Sequence, residues 1–139
     1  MPALDLTSTT SAVWTELSPS GTAPACSGAA AVYDPENEAV YLLGGETWHA
    51  LADDPLCLDL SGATPTWQRL AVSGDALPAL AGAAATWAAD HGGTLLFGGV
   101  GYHRMSSSAY FLRPTARCEV EVTALGPSGD DPGARCGGS

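Results

Sequence analysis

The chain has 139 residues, 45% of them apolar and only 14% charged, so it can bury a sizeable core and is unlike a disordered acidic tail. Its formal net charge is −10 and its five cations are all Arg, a balance that repels nucleic-acid phosphates and anionic membrane surfaces. No stretch approaches the roughly 18 apolar residues of a membrane span, and residues 1–8 lack the basic patch and apolar run of a secretory signal, so the cytoplasm is the expected compartment.

Residues 1–12 are polar and rich in Ser and Thr, and read as a flexible lead-in. Alternation over 13–17 predicts a short strand, and the Pro- and Gly-rich run 18–24 predicts a loop. A small-residue strand follows over 28–33. Asp34-Pro35 starts a hairpin turn, and 39–43 is the return strand, ending in Gly44-Gly45. A variable loop spans 46–54, and strands are expected at 56–60 and 66–70. The plan then begins again: a loop over 71–81, a strand over 82–87, and a turn over 88–93. A strand over 94–97 ends in Gly98-Gly99, a variable loop covers 100–107, and strands are expected at 109–112 and 119–125. Residues 126–139 read as a flexible tail in which Pro132 and Gly137 hint at a third copy.

The two halves match at an offset of about 54 residues. Trp14 recurs as Trp67, and the run 41–45 recurs as 95–99. A unit of this length made of four short strands is one blade of a β-propeller, which hides its apolar face only against a neighbouring copy. Expected, then, is an all-β partial propeller with two four-stranded antiparallel blades, about 28–70 and 82–125, preceded by an orphan outer strand at 13–17. Paired glycines suit a place where backbones approach closely as an inner strand ends.

These residues resemble the kelch repeat: an apolar run closed by Gly44-Gly45 and followed by Trp67, then a second closed by Gly98-Gly99 and followed by Tyr110. The resemblance covers roughly residues 13–125. It implies a propeller whose loops at one face contact ligands, and a ring of more blades than two. A longer parent protein, assembly with copies or a partner, and a minimal open stack all answer that shortfall.

The loops are where chemistry could sit. Trp48-His49 and Tyr102-His103 occupy the same offset in the two copies, with Arg104 beside the second pair. Aromatics give large contact area at low entropic cost, so Trp48, His49, Tyr102, His103 and Arg104 are the candidate partner-binding residues. The competing expectation, the favoured one, packs Trp48 and Tyr102 beneath their loops. Trp14 and Trp67 are expected in the core between blades. His49 and His103 lack the carboxylate or Cys spacing of a metal site, and no metal or cofactor is expected. Asp53-Asp54 and Asp130-Asp131 lie in polar loops and read as solvated turns, as does His91. Ser106, Ser107 and Ser108 lack the context of a catalytic nucleophile. The four cysteines, Cys26, Cys57, Cys118 and Cys136, have no C-x-x-C spacing and read as reduced thiols.

The expected function is a non-enzymatic scaffold that binds another protein through propeller loops, with no nucleic-acid or membrane partner and with self-association possible. The alternative is part of a larger kelch-type enzyme or carbohydrate-handling propeller, since some kelch-like propellers resemble galactose oxidase or sialic-acid-processing proteins. A copper site of the oxidase kind would draw on Tyr110, His49, His103 and Cys57, whose spacing does not favour convergence.

Overall fold

The computed structural model describes residues 2–8, 10–126, 128–130 and 132–135. The described backbone is all β apart from turns, loops and a 3-10 turn at Ala89–His91. Strands β3 (Ala30–Asp34), β4 (Ala39–Leu43), β5 (Leu56–Asp59) and β6 (Thr66–Arg69) form a four-stranded antiparallel sheet in chain order, the first blade. Strands β8 (Ala84–Ala88), β9 (Gly93–Phe97), β10 (Ala109–Ala116) and β11 (Glu119–Leu125) repeat that order as the second blade. Val32 faces Tyr41 and Tyr41 faces Cys57 in blade one; Thr86 faces Leu95 and Leu95 faces Phe111 in blade two. The registers therefore coincide at the 54-residue offset, and the molecule is a two-blade partial propeller.

Three expectations change at the edges. The lead-in is not irregular throughout, because β1 (Pro2–Ser8) pairs antiparallel with β2 (Ser11–Glu16). The Ser and Thr content hid a period-two pattern suited to a strand. The strand expected at 13–17 is thus half of a separate hairpin rather than a blade's outer strand. The loop expected over 71–81 begins with a fifth strand of the second sheet, β7 (Ala71–Gly74), parallel to β11. In blade one the corresponding contact is a single parallel bridge, Ser20 to Thr66.

Alternation explains how the blades stack. In β3 the residues Ala30, Val32 and Asp34 are buried while Ala31 and Tyr33 are exposed. Val32, Tyr41, Leu43 and Cys57 of blade one share one core with Leu96, Leu112, Val120 and Val122 of blade two. Burying each of the Leu and Val side chains stabilises by about 1.5–3 kcal/mol. The Ala-rich inner strands let the backbones crowd together, and Gly82 N–H donates to Gly28 C=O at 2.7 Å.

The blades are also joined covalently. Cys57 and Cys118 form a disulfide with Cα atoms 5.6 Å apart and a sequence separation of 61. This corrects the expectation of reduced thiols: zinc-type spacing was the wrong test, because the pair meets only through the stacking of two blades. Cys26 is a free thiol, and Cys136 lies outside the described residues. Next to the bond, Arg117 Nε donates to Asn37 C=O at 3.2 Å and lies 3.7 Å from Asp59. Hydrogen bonds from the Ser61 hydroxyl and N–H, reinforced by Arg117, hold the Asp59 carboxyl below the usual carboxylate range.

Gly44 and Gly98 occupy equivalent places. Both have left-handed φ, +67° and +73°, and a Cβ at either would collide with a carbonyl oxygen, that of Leu80 or of Arg135. Their neighbours Gly45 and Gly99 donate to those same carbonyls, at 2.8 and 2.6 Å. The segment around Arg135 is thereby tied to blade two as Leu80 is tied to blade one, so the tail is not loose at this point. Gly137 lies outside the described residues. Among the described residues, no helix is long and apolar enough to cross a membrane.

Candidate functional site

The two variable loops are built alike. Ser27 and Glu46 exchange backbone hydrogen bonds of 2.9 and 2.8 Å, and Ala81 and Val100 do the same at 3.0 and 2.8 Å. Each loop then closes a tight turn. Thr47 N–H donates to Ala50 C=O at 2.8 Å, and Gly101 N–H to Arg104 C=O at 2.9 Å. Trp48-His49 and Tyr102-His103 are the two central residues of these turns. The Thr47 hydroxyl reinforces the first, accepting from His49 and Ala50 N–H at 3.3 and 3.2 Å.

Turn geometry decides the fate of the aromatics. Both pairs sit at the tips of turns closed by backbone hydrogen bonds. Trp48 is 99% exposed and Tyr102 66% exposed, so neither packs under its loop as expected. His49, His103 and Arg104 are exposed as well.

Each turn forms one wall of a cleft, and the clefts are repeat-related. One, of about 620 Å³, lies between the 24–27 segment and Trp48; the other, of about 650 Å³, lies between the 78–80 segment and Tyr102. Pro24 corresponds to Pro78, Ala25 to Ala79 and Cys26 to Leu80. The electrostatics differ: Glu46 lines the blade-one cleft, and Arg104 lines the blade-two cleft with Ser106, Ser107 and Ser108. The structure therefore divides the five candidate binding residues between two turns: Trp48 lines the first cleft with His49 beside it on the turn, and Tyr102, His103 and Arg104 line the second.

The remaining candidates have other settings. Trp67 is buried, its indole N–H without a hydrogen-bond partner among the described residues. Trp14 is 68% exposed on the β1–β2 hairpin, contrary to the expected core position, because that hairpin is a sheet of its own. Tyr110 is half-buried and packs against the core between the blades. Asp53, Asp54 and His91 are exposed, with Asp54 ion-paired to Arg69; Asp130 is exposed and Asp131 lies outside the described residues. Cys57, engaged in its disulfide, has no thiol to offer a tyrosine–copper centre.

Sequence reasoning missed the buried carboxylate of Asp34. It accepts from Glu36 N–H at 2.9 Å, Asn37 N–H at 3.2 Å, Asn37 Nδ2 at 2.7 Å and the Tyr41 hydroxyl. Burial, then the hydrogen bond and negative charge of Asp34, push the Tyr41 phenol far above its ordinary range. The signal was Asp34-Pro35 with a tyrosine placed to reach back from the return strand. This site shapes a turn.

Neither a protein-family model nor a curated protein matches the chain. Among solved structures, it superposes on that of YjhT with a TM-score of 0.61 at 15% sequence identity, over 88% of this chain. The chain spans 37% of the length of that one, and the likeness is one of fold.

Proposed function

We propose that this chain is a kelch-type propeller segment that binds another protein through its paired turn-and-cleft loops. The reading rests on one observation: Trp48 and Tyr102 stand exposed at repeat-equivalent turn tips, each on the wall of a cleft. Rigid aromatics at the rim of a pocket, with an arginine beside one of them, are the residue types that carry most of the energy of protein interfaces. The closed turns hold them in place before binding, which limits the ordering cost of association. The Cys57–Cys118 bond supports folding in an oxidising compartment over the cytoplasm expected from the N-terminal residues.

The test is selection of displayed peptides on the immobilised protein, followed by affinity measurement on Trp48→Ala and Tyr102→Ala. Enriched peptides should lose roughly tenfold or more in affinity on at least one variant, the scale of an aromatic anchor. Peptides that bind wild type and both variants equally, or no enrichment at all, would overturn the reading.

A further inference from the structure

The two clefts carry opposite charge, and the repeat offset shows how. Leu42 faces Leu56 in blade one and Leu96 faces Tyr110 in blade two, so the offset of 54 holds on both sides of the variable loops. Glu46, Asp53 and Asp54 of the first loop become Val100, Ser107 and Ser108 in the second, and Ala50 becomes Arg104. The formal charge is therefore −3 over residues 46–54, from those three carboxylates, and +1 over 100–108, from Arg104 alone. In a chain with 15 Asp and Glu against five Arg, the described residues that line the blade-two cleft include no carboxylate. Arg69 and Arg117 are engaged with Asp54 and Asp59, whereas no carboxylate among the described residues pairs with Arg104. His103 and the three serines line the cleft with it. Ser106 Oγ accepts from Ser108 N–H at 3.0 Å, which leaves its own proton to donate to a ligand. Both clefts stay open with a following segment seated beside them, that of Leu80 at Gly44-Gly45 and that of Arg135 at Gly98-Gly99.

We propose that the blade-two cleft takes an acidic peptide segment of a partner protein, a carboxylate side chain of which meets Arg104 and the serine hydroxyls while Tyr102 packs on the residue beside it. This rests on the reading of the loops as a protein-binding surface and adds the charge of the partner. A guanidinium presents a planar fork of donors that matches a carboxylate, and hydroxyls add donors without adding charge. The blade-one cleft, with Glu46 on its wall, offers the same segment a like charge instead, so the two clefts discriminate rather than duplicate. The net charge of −10 opposes any anionic partner at long range. At physiological salt the screening length is about 8 Å, so the charge lining the cleft decides the contact once the segment is seated. The signature is therefore a preference for the acidic segment over its neutral isostere, not a high affinity as such.

The experiment is an NMR titration of the isotope-labelled full chain at physiological salt with two peptides blocked at both ends, Gly-Glu-Phe-Glu-Gly and Gly-Gln-Phe-Gln-Gly. The acidic peptide should shift the amides of residues 101–108 saturably and bind roughly fivefold more tightly than the neutral one, the scale of one solvent-accessible charge pair. Arg104→Gln should erase that preference. So should Ser107→Asp, which restores the blade-one residue and serves as the second variant should the first lose the dispersed spectrum of a folded chain. Equal affinity for the two peptides, an acidic peptide that gives no saturable shifts, or a preference that survives Arg104→Gln overturns the proposal. Shifts confined to residues 46–54 overturn it as well, because they put the anion in the cleft that carries Glu46. Failure of the broader reading looks different. Equal binding of the two peptides that is nonetheless lost in Tyr102→Ala strikes the charge preference alone, whereas a displayed library that enriches nothing strikes protein binding itself.

Discussion

The first hairpin of blade one turns on a buried carboxylate, and the first hairpin of blade two turns on glycine. Asp34 gathers four donors beneath its turn, Tyr41 among them. At the same offset blade two has Ala88 and Leu95, and it closes with the 3-10 turn and a left-handed Gly92 at φ 60°. The contrast follows burial. Tyr41 is fully covered by the neighbouring blade, so its hydroxyl needs a partner within the protein. Leu95 lies on the uncovered side and makes no such demand. One repeat template is thus tuned, position by position, to whether a neighbour lies over it.

The strongest way to break this comparison is to unfasten the two blades. Reducing Cys57–Cys118, or replacing both residues with Ser, releases a closed loop of 61-residue separation, which the chain-entropy argument values at about 4 kcal/mol. Urea unfolding with and without reductant should show that loss. The same midpoint in both conditions would mean that packing between the blades, not the bond, sets their coupling. Next in size is Asp34→Ala, which gives blade one the residue that blade two has at this position. It strips the acceptor from the Tyr41 hydroxyl and from two turn N–H groups, and should cost about 3 kcal/mol. Ala88→Asp should bring no matching gain, because Leu95 has no hydroxyl to donate. A neutral Asp34→Ala in a thermal or urea melt would show that the turns are interchangeable after all.

The two effects were not equally legible in the sequence. The period, the paired glycines and the alternation of strands such as 39–43 and 119–125 are local patterns, and they placed the strands of both blades. The disulfide is not local: residues 57 and 118 meet only once the second blade has been laid over the first, so their spacing carries no recognisable motif. Strands β1 and β7 were missed because Ser, Thr and Gly composition outweighed a weak alternation. Trp14 was misplaced because its likeness to Trp67 is one of sequence position, while its hairpin joins neither blade. The candidate loops were found by offset alone. The exposure of their aromatics depends on the turns at Thr47 and Gly101, which were not foreseen.

A finer probe of the comparison is pH. Burial, with Asp34 next to it, raises the Tyr41 phenol above its usual 10.0 in the folded chain, whereas the unfolded chain ionises near that value. The folded state therefore holds the proton more tightly. The stability this represents is fully present below pH 10 and drains away as pH climbs beyond it. Tyr41→Phe should lower stability at neutral pH by about 1 kcal/mol, the net worth of one hydrogen bond. It should also flatten the alkaline decline seen in wild type. An unchanged alkaline limb in the variant would place the responsible group elsewhere, outside the carboxylate-centred turn.

The smallest expected effect is the most informative about function. Trp48→Ala and Tyr102→Ala remove large side chains, and a buried aromatic truncated this way would cost about 3–5 kcal/mol. At the tips of turns closed by backbone hydrogen bonds, these two have little to lose: the turns keep their bonds, and most of each ring is already in solvent. Each variant should therefore unfold within about 0.5 kcal/mol of wild type. Trp48, which is 99% exposed, should show the smaller change. If Tyr102→Ala alone proved costly, the ring would be lying across the Leu80 side of its cleft rather than standing clear, and the two clefts would not be equivalent. If both variants are neutral in stability, any loss of binding they show belongs to recognition and not to the fold.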